Sequence, residues 1–94
     1  MFNSNRYLTC GVDATIPLDL QLFLWECVDG LPEPRDHLQI FDLKQVGSMQ
    51  SVTHRSEEPA YHTEYLLSSG KPITEKVYVI DDGDHSTMLL ANEY

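Results

Sequence analysis

Two clusters of side chains in this sequence have the composition of a metal site. The first is Asp81-Asp82-Gly83-Asp84-His85. Asp82-Gly83 is a dipeptide favoured in a two-residue type I′ turn, because both central residues need φ > 0. That register makes Asp81 and Asp84 a facing pair, and like charges directly opposed across two strands repel unless a cation or basic group intervenes. A hard cation held by Asp81, Asp84 and His85 is therefore one chemical expectation. The spacing is not that of an EF-hand, which needs alternating oxygen donors and a distant Glu. Asp and Gly also dominate tight turns for conformational reasons alone, so a solvated hairpin tip is the plain alternative.

The second cluster depends on a strand register. If Glu57-Glu58-Pro59 is a three-residue hairpin loop, Ser56 faces Ala60, Arg55 faces Tyr61, His54 faces His62 and Val52 faces Glu64. Opposed Cβ atoms lie about 4.5 to 5.5 Å apart, near enough for His54, His62 and Glu64 to hold zinc. The same pair of imidazoles would repel on protonation near pH 6 and so could sense pH. A slip of one residue destroys the arrangement.

Other chemistry has little warrant. Cys10 and Cys27 are the only cysteines, without a CxxC spacing or a sequence-readable base. They read as two free, mostly packed thiols. The sequence contains no GxSxG, P-loop or GxGxxG motif, and nothing in it calls for a cofactor. Paired carboxylates abound, but fifteen acids in 94 residues produce pairs by chance.

The elements that must position these groups are legible from periodicity and turn residues. RYLTC, residues 6–10, reads as a short first strand ending at Gly11. Pro17 fits the first turn of a helix running to Asp29, with Thr15 helping to cap its start, Gly30 closing it, and Pro32 and Pro34 blocking continuation. Around that helix Leu18, Leu22 and Trp25 form one apolar row and Leu20, Leu24 and Cys27 another, and one sheet cannot easily cover both. The helix is then either sandwiched within the domain or presents Leu18, Leu22 and Trp25 to a partner.

Strands follow at 38–46, 51–56 and 60–67, the last with Tyr61, Thr63, Tyr65 and Leu67 on one side and His62 and Glu64 on the other. Tyr61 and Tyr65 are candidate recognition residues, or else the ordinary half-buried face of a sheet. Residues 76–81 and 86–90 complete a C-terminal hairpin. The expected architecture is α+β: one main helix packed on a largely antiparallel sheet of five or six strands, in a single domain spanning residues 1–94.

Charge narrows the partners. Six Lys plus Arg against fifteen Asp plus Glu give −9, and protonating all four histidines would leave −5. Nucleic-acid phosphates and anionic membrane surfaces both require the opposite balance. The longest apolar stretch, Leu22–Trp25, is far below the roughly 18 to 20 residues that cross a bilayer. The N-terminus, Met1 to Arg6, has no signal-peptide pattern, which places the protein in the cytoplasm.

The segments RYLTCGV (6–12), IPLDLQLFLWECVDGL (16–31), LQIFDL (38–43), HRSEEPAY (54–61) and VYVIDDGDHSTMLLANEY (77–94) together resemble the family catalogued as domain of unknown function 960. These are small proteins of Gram-positive bacteria in the Firmicutes, and the likeness covers nearly the whole chain. It implies a bacterial cytoplasmic protein and brings no catalytic residue with it. Two functional expectations stand. The first is a non-enzymatic interaction module for an unknown protein partner or a second copy of itself, with neither nucleic acid nor membrane as partner. The alternative is a metal-binding protein or metal-dependent hydrolase built on the His and Asp clusters.

Overall fold

The computed structural model describes residues 5–94. Six strands form one sheet: β1 (Asn5–Leu8), β2 (Leu38–Val46), β3 (Met49–Glu57), β4 (Ala60–Ser68), β5 (Glu75–Asp81) and β6 (His85–Leu90), in spatial order β1-β6-β5-β2-β3-β4. Helices α1 (Cys10–Thr15) and α2 (Leu18–Asp29) lie between β1 and β2 in the chain, and a 3-10 turn at Ala91–Glu93 follows β6. The α+β architecture is as the residue pattern predicts. The sheet, however, is mixed: β1 runs parallel to β6, while the other pairings are antiparallel. That parallel pair joins the two ends of the chain, so no turn sequence announces it.

The first strand stops earlier than expected. The Thr9 hydroxyl accepts a hydrogen bond from the Val12 N–H at 3.3 Å and starts α1 at Cys10. Glu93 locks this junction: its carboxylate accepts from the Thr9 hydroxyl at 2.6 Å and from the N–H groups of Gly11 and Leu90. A Cβ at Gly11 would lie 2.6 Å from that carboxylate, so only glycine leaves room for it undisturbed. Thr15 therefore ends α1 rather than capping α2, which begins after Pro17 without a side-chain cap.

Leu20, Leu24 and Val28 of α2 face the sheet and join Phe41, Leu43, Val52, Val77, Val79 and Met88 in the core. Each such side chain stabilises the fold by about 1.5 to 3 kcal/mol through burial. Phe23 reaches toward β4, edge-on to Tyr65 with ring centroids 5.2 Å apart. Trp25 reaches toward β1, where the Arg6 guanidinium covers it at 4.6 Å and pairs with Asp29.

Several polar side chains inside the core are matched individually. The Gln21 amide donates to the Ile16 carbonyl at 2.8 Å. Gln50 donates to the carbonyls of Lys44, Ser51 and Ile73 and accepts from the Ile73 N–H, tying the loop before β5 to the start of β3. Asp36, also buried, accepts from the N–H groups of Leu38, Glu57 and Glu58, joining the start of β2 to the tip of the β3–β4 hairpin. Burial alone would raise the Asp36 carboxyl, but these three donors, with His37 beside it, hold it below the usual carboxylate range.

Candidate functional site

The outer edge of the sheet at β4 is the feature with the clearest capacity to act on another molecule. β4 is nine residues long and pairs with β3 in an unbroken register from Glu57↔Ala60 to Met49↔Ser68. Among the described residues it is the last strand in the sheet order, so its far side presents backbone donors and acceptors that no further strand pairs. Natural edges are commonly guarded by Pro, Lys, a bulge, an inward charge or a covering element. Strand β4, with the sequence AYHTEYLLS, has neither Pro nor Lys, its ladder contains no bulge, and its one acidic residue, Glu64, faces outward.

Alternation along β4 is as the sequence predicts. Tyr61, Thr63, Tyr65 and Leu67 are half-buried on the helix side, and Ala60, His62, Glu64, Leu66 and Ser68 are exposed on the other face. Tyr65 is fixed from behind by Phe23 and by the Cys27 thiol. Burial, Cys27 and Tyr61 all raise the phenol of Tyr65, and burial pushes the Cys27 thiol up to about 11. Both groups are therefore neutral near pH 7. Cys27 is half-buried, in line with a packed thiol, whereas Cys10 is exposed at the start of α1.

The residues expected on the apolar helix row divide. Leu18 and Leu22 are exposed, at 69% and 55%, while Trp25 is buried beneath Arg6 and offers no surface to a partner. Trp25 is thus corrected from a contact residue to a core residue. Its position on the flank of the helix lets the indole bend down to β1, whereas Leu18 and Leu22 sit on the crest.

The structure separates the expected zinc ligands. Glu57 pairs with Ala60, leaving a two-residue loop at Glu58-Pro59, so the ladder is one residue out of the expected register. The cause is long-range: the Asp36 carboxylate binds the N–H groups of Glu57 and Glu58 and draws Glu57 into the strand region. His54 consequently faces Thr63, and Arg55 faces His62. His54 is fully buried, stacked on Phe41 at 4.3 Å and near Tyr61 at 4.9 Å. His62 lies on the opposite face, where its Nε2 sits 3.1 Å from Glu64 Oε2.

The acidic tip is likewise satisfied by its own backbone. Asp82 N–H donates to the His85 carbonyl, which places Gly83-Asp84 at the tip with Gly83 at φ +100°. Asp81 and Asp84 are therefore not the facing pair. Asp81 Oδ1 accepts from Gly83 N–H, and Asp82 Oδ1 accepts from the N–H groups of Asp84 and His85. The His85 N–H bond, with a second from Asp84, holds the Asp82 carboxyl below the usual range against the opposing effect of desolvation. His85 Nε2 approaches Asp82 Oδ2 at 3.1 Å, and its ring stands edge-on to Tyr7. Among the described residues no group of three or more His, Cys, Asp or Glu side chains is placed to hold a metal ion.

Sequence reasoning named His54 as a zinc ligand and missed its burial, which makes it the most unusual buried group. Its Nε2 lies 2.7 Å from Gln39 Oε1, and Gln39 in turn donates to the Asp36 carbonyl at 2.8 Å. The acceptor at Gln39 fixes the proton on Nε2, which leaves Nδ1 a buried acceptor without a hydrogen-bond donor. Burial lowers the His54 pKa to about 4. The signal was present in the β3 alternation, where His54 shares a face with Val52, but histidine is read from sequence as polar.

Residues 5–93 match the family model described as staphylococcal protein of unknown function, domain of unknown function 960, and the chain belongs to that family. A crystal structure of a protein of unknown function from Enterococcus faecalis superposes with a TM-score of 0.77 at 23% identity, covering 97% of this chain and 91% of that one. That likeness shows the shared fold. No curated protein matches the chain.

Proposed function

We propose that this family member is a non-enzymatic interaction module that binds an extended protein segment by adding a strand at the β4 edge. The supporting observation is the nine-residue, bulge-free and unguarded edge itself. Main-chain bonding to such an edge supplies affinity, and the alternating side chains supply selectivity. Tyr61 and Tyr65 are the candidate contact residues on the helix side, with their rings already immobilised by packing. Leu18 and Leu22 on the crest of α2 are a second apolar contact for a larger partner. The charge of −9 disfavours nucleic acids as partners.

The test is a nitrogen-15 labelled chain, observed by backbone amide NMR with and without concentrated staphylococcal lysate. Shifts and slowed amide exchange should concentrate in residues 60–68. Amides of residues 60–68 that exchange freely both in the concentrated pure chain and with lysate, or changes confined to the helix crest around Leu18 and Leu22, would overturn strand addition.

A further inference from the structure

We infer that the strand added at β4 is the β4 of a second copy of this chain, antiparallel and centred on Thr63. This deepens the strand-addition reading and rests on it. Two identical edges meeting antiparallel are related by a twofold axis perpendicular to the sheet. Residues with the same face then oppose one another, and both helical layers lie on the same side of one continuous sheet. Only registers that match Tyr61, Thr63, Tyr65 and Leu67 with members of the same set satisfy this condition.

Charge selects among those registers. Centring the pair on Glu64 opposes the two Glu64 carboxylates, and centring it on His62 opposes the two imidazoles. Centring on Thr63 instead places His62 against Glu64 of the second copy twice over. It also sets Tyr61 against Tyr65 and Ala60 against Leu66, again in both directions. Leu66, 59% exposed in the single chain, gains cover from the small Ala60 position. His62 and Glu64 are exposed and already 3.1 Å apart within one strand, so the symmetric pair would assemble four alternating groups on the outer face. An imidazole N–H can donate to a carboxylate whether or not the ring is protonated, aromatic pairs are favourable across strands, and like charges are unfavourable.

Sedimentation equilibrium of the purified full chain tests self-pairing, and cross-linking tests its centre. Thr63→Cys, made with Cys10→Ser and Cys27→Ala, should oxidise to a disulfide dimer, because directly opposed positions fall within disulfide reach. An equimolar mixture of His62→Cys and Glu64→Cys chains in the same background should cross-link as a heterodimer, and these exposed sites keep the test independent of any folding defect at Thr63. His62→Glu should raise the dimer dissociation constant about tenfold by setting like charges opposite each other, and His62→Glu/Glu64→Lys should restore it. A chain that stays monomeric, or a dimer that forms neither cross-link, overturns this inference. A monomer whose β4 amides still respond to lysate would leave strand addition standing with a different occupant.

Discussion

Acidification should unfold this protein partly through one imidazole. His54 is sealed between Phe41 and Tyr61, donates from Nε2 to Gln39 and has no acceptor for a proton on Nδ1. Protonation would create a buried cation, which is why its pKa falls to about 4, and would leave an unpaired donor as well. In the unfolded chain a histidine titrates near 6.5. Between these values the unfolded state holds the proton and the folded state does not, so stability rises with pH across the window. Above pH 7 the imidazole is neutral in both states and contributes no pH dependence. Going down, the loss reaches about 2 kcal/mol at pH 5 and about 3 kcal/mol near pH 4, at about 1.4 kcal/mol for each tenfold change.

His54→Gln is the matching variant, because its amide nitrogen can replace Nε2 as the donor to Gln39 while carrying no titratable group. Urea unfolding of both chains at pH 7.5 and pH 5 isolates the imidazole from the carboxylates, which the two chains share. The stability of the native chain relative to the variant should fall by about 2 kcal/mol between those pH values. A constant difference would refute the reasoning, as would a His54 ring resonance that titrates near 6.5 in the folded protein.

Three further outcomes follow from contacts already described. Asp36→Ala removes the acceptor for three backbone N–H groups and should destabilise the fold by about 3 kcal/mol, read by urea unfolding. Asp36→Asn, which keeps one acceptor oxygen, should lose less. Gly11→Ala should push the Glu93 carboxylate out of its seat, lower the melting temperature and speed amide exchange at Leu90, without altering the β4 register. At pH 8 a thiol reagent should modify exposed Cys10 and leave Cys27 protonated and unmodified until the chain unfolds, as peptide mass mapping would show.

The contrast between legible and illegible features follows the range of the interactions. The amphipathic run from Leu18 to Asp29 and the alternation from Ala60 to Leu67 are local patterns, and both elements form where the pattern predicts. Residues 38–46 form a strand over the whole predicted range. By contrast, the β1–β6 pair, the Asp36 clasp and the Glu93 latch each join residues far apart in sequence. The clasp displaced the β3–β4 register by one residue, and that single step carried His54 to the face opposite His62. Metal chemistry inferred from adjacency in a hypothetical ladder was thus sensitive to a carboxylate about twenty residues upstream. Asp82, by comparison, acts within its own loop, and its position one residue along explains why Asp81 and Asp84 do not face each other.

The same long-range contacts give the β4 edge its capacity to bind. At one end of the β3–β4 hairpin, Asp36 immobilises the N–H groups of Glu57 and Glu58. At the other, Gln50, opposite Leu67 in the ladder, is anchored through Ile73 to the loop before β5. Phe23 and Cys27 hold Tyr65 midway along the strand. An edge fixed at both ends and in the middle loses little conformational freedom when another strand pairs with it, so more of the new hydrogen bonding appears as affinity. Loosening the clasp should therefore weaken strand addition beyond its effect on the folded population. Asp36→Ala, studied where the chain remains folded, should slow association at β4 and bring faster amide exchange along residues 57–62. If the exchange accelerates but association is unchanged, rigidity of the hairpin is not what prepares the edge.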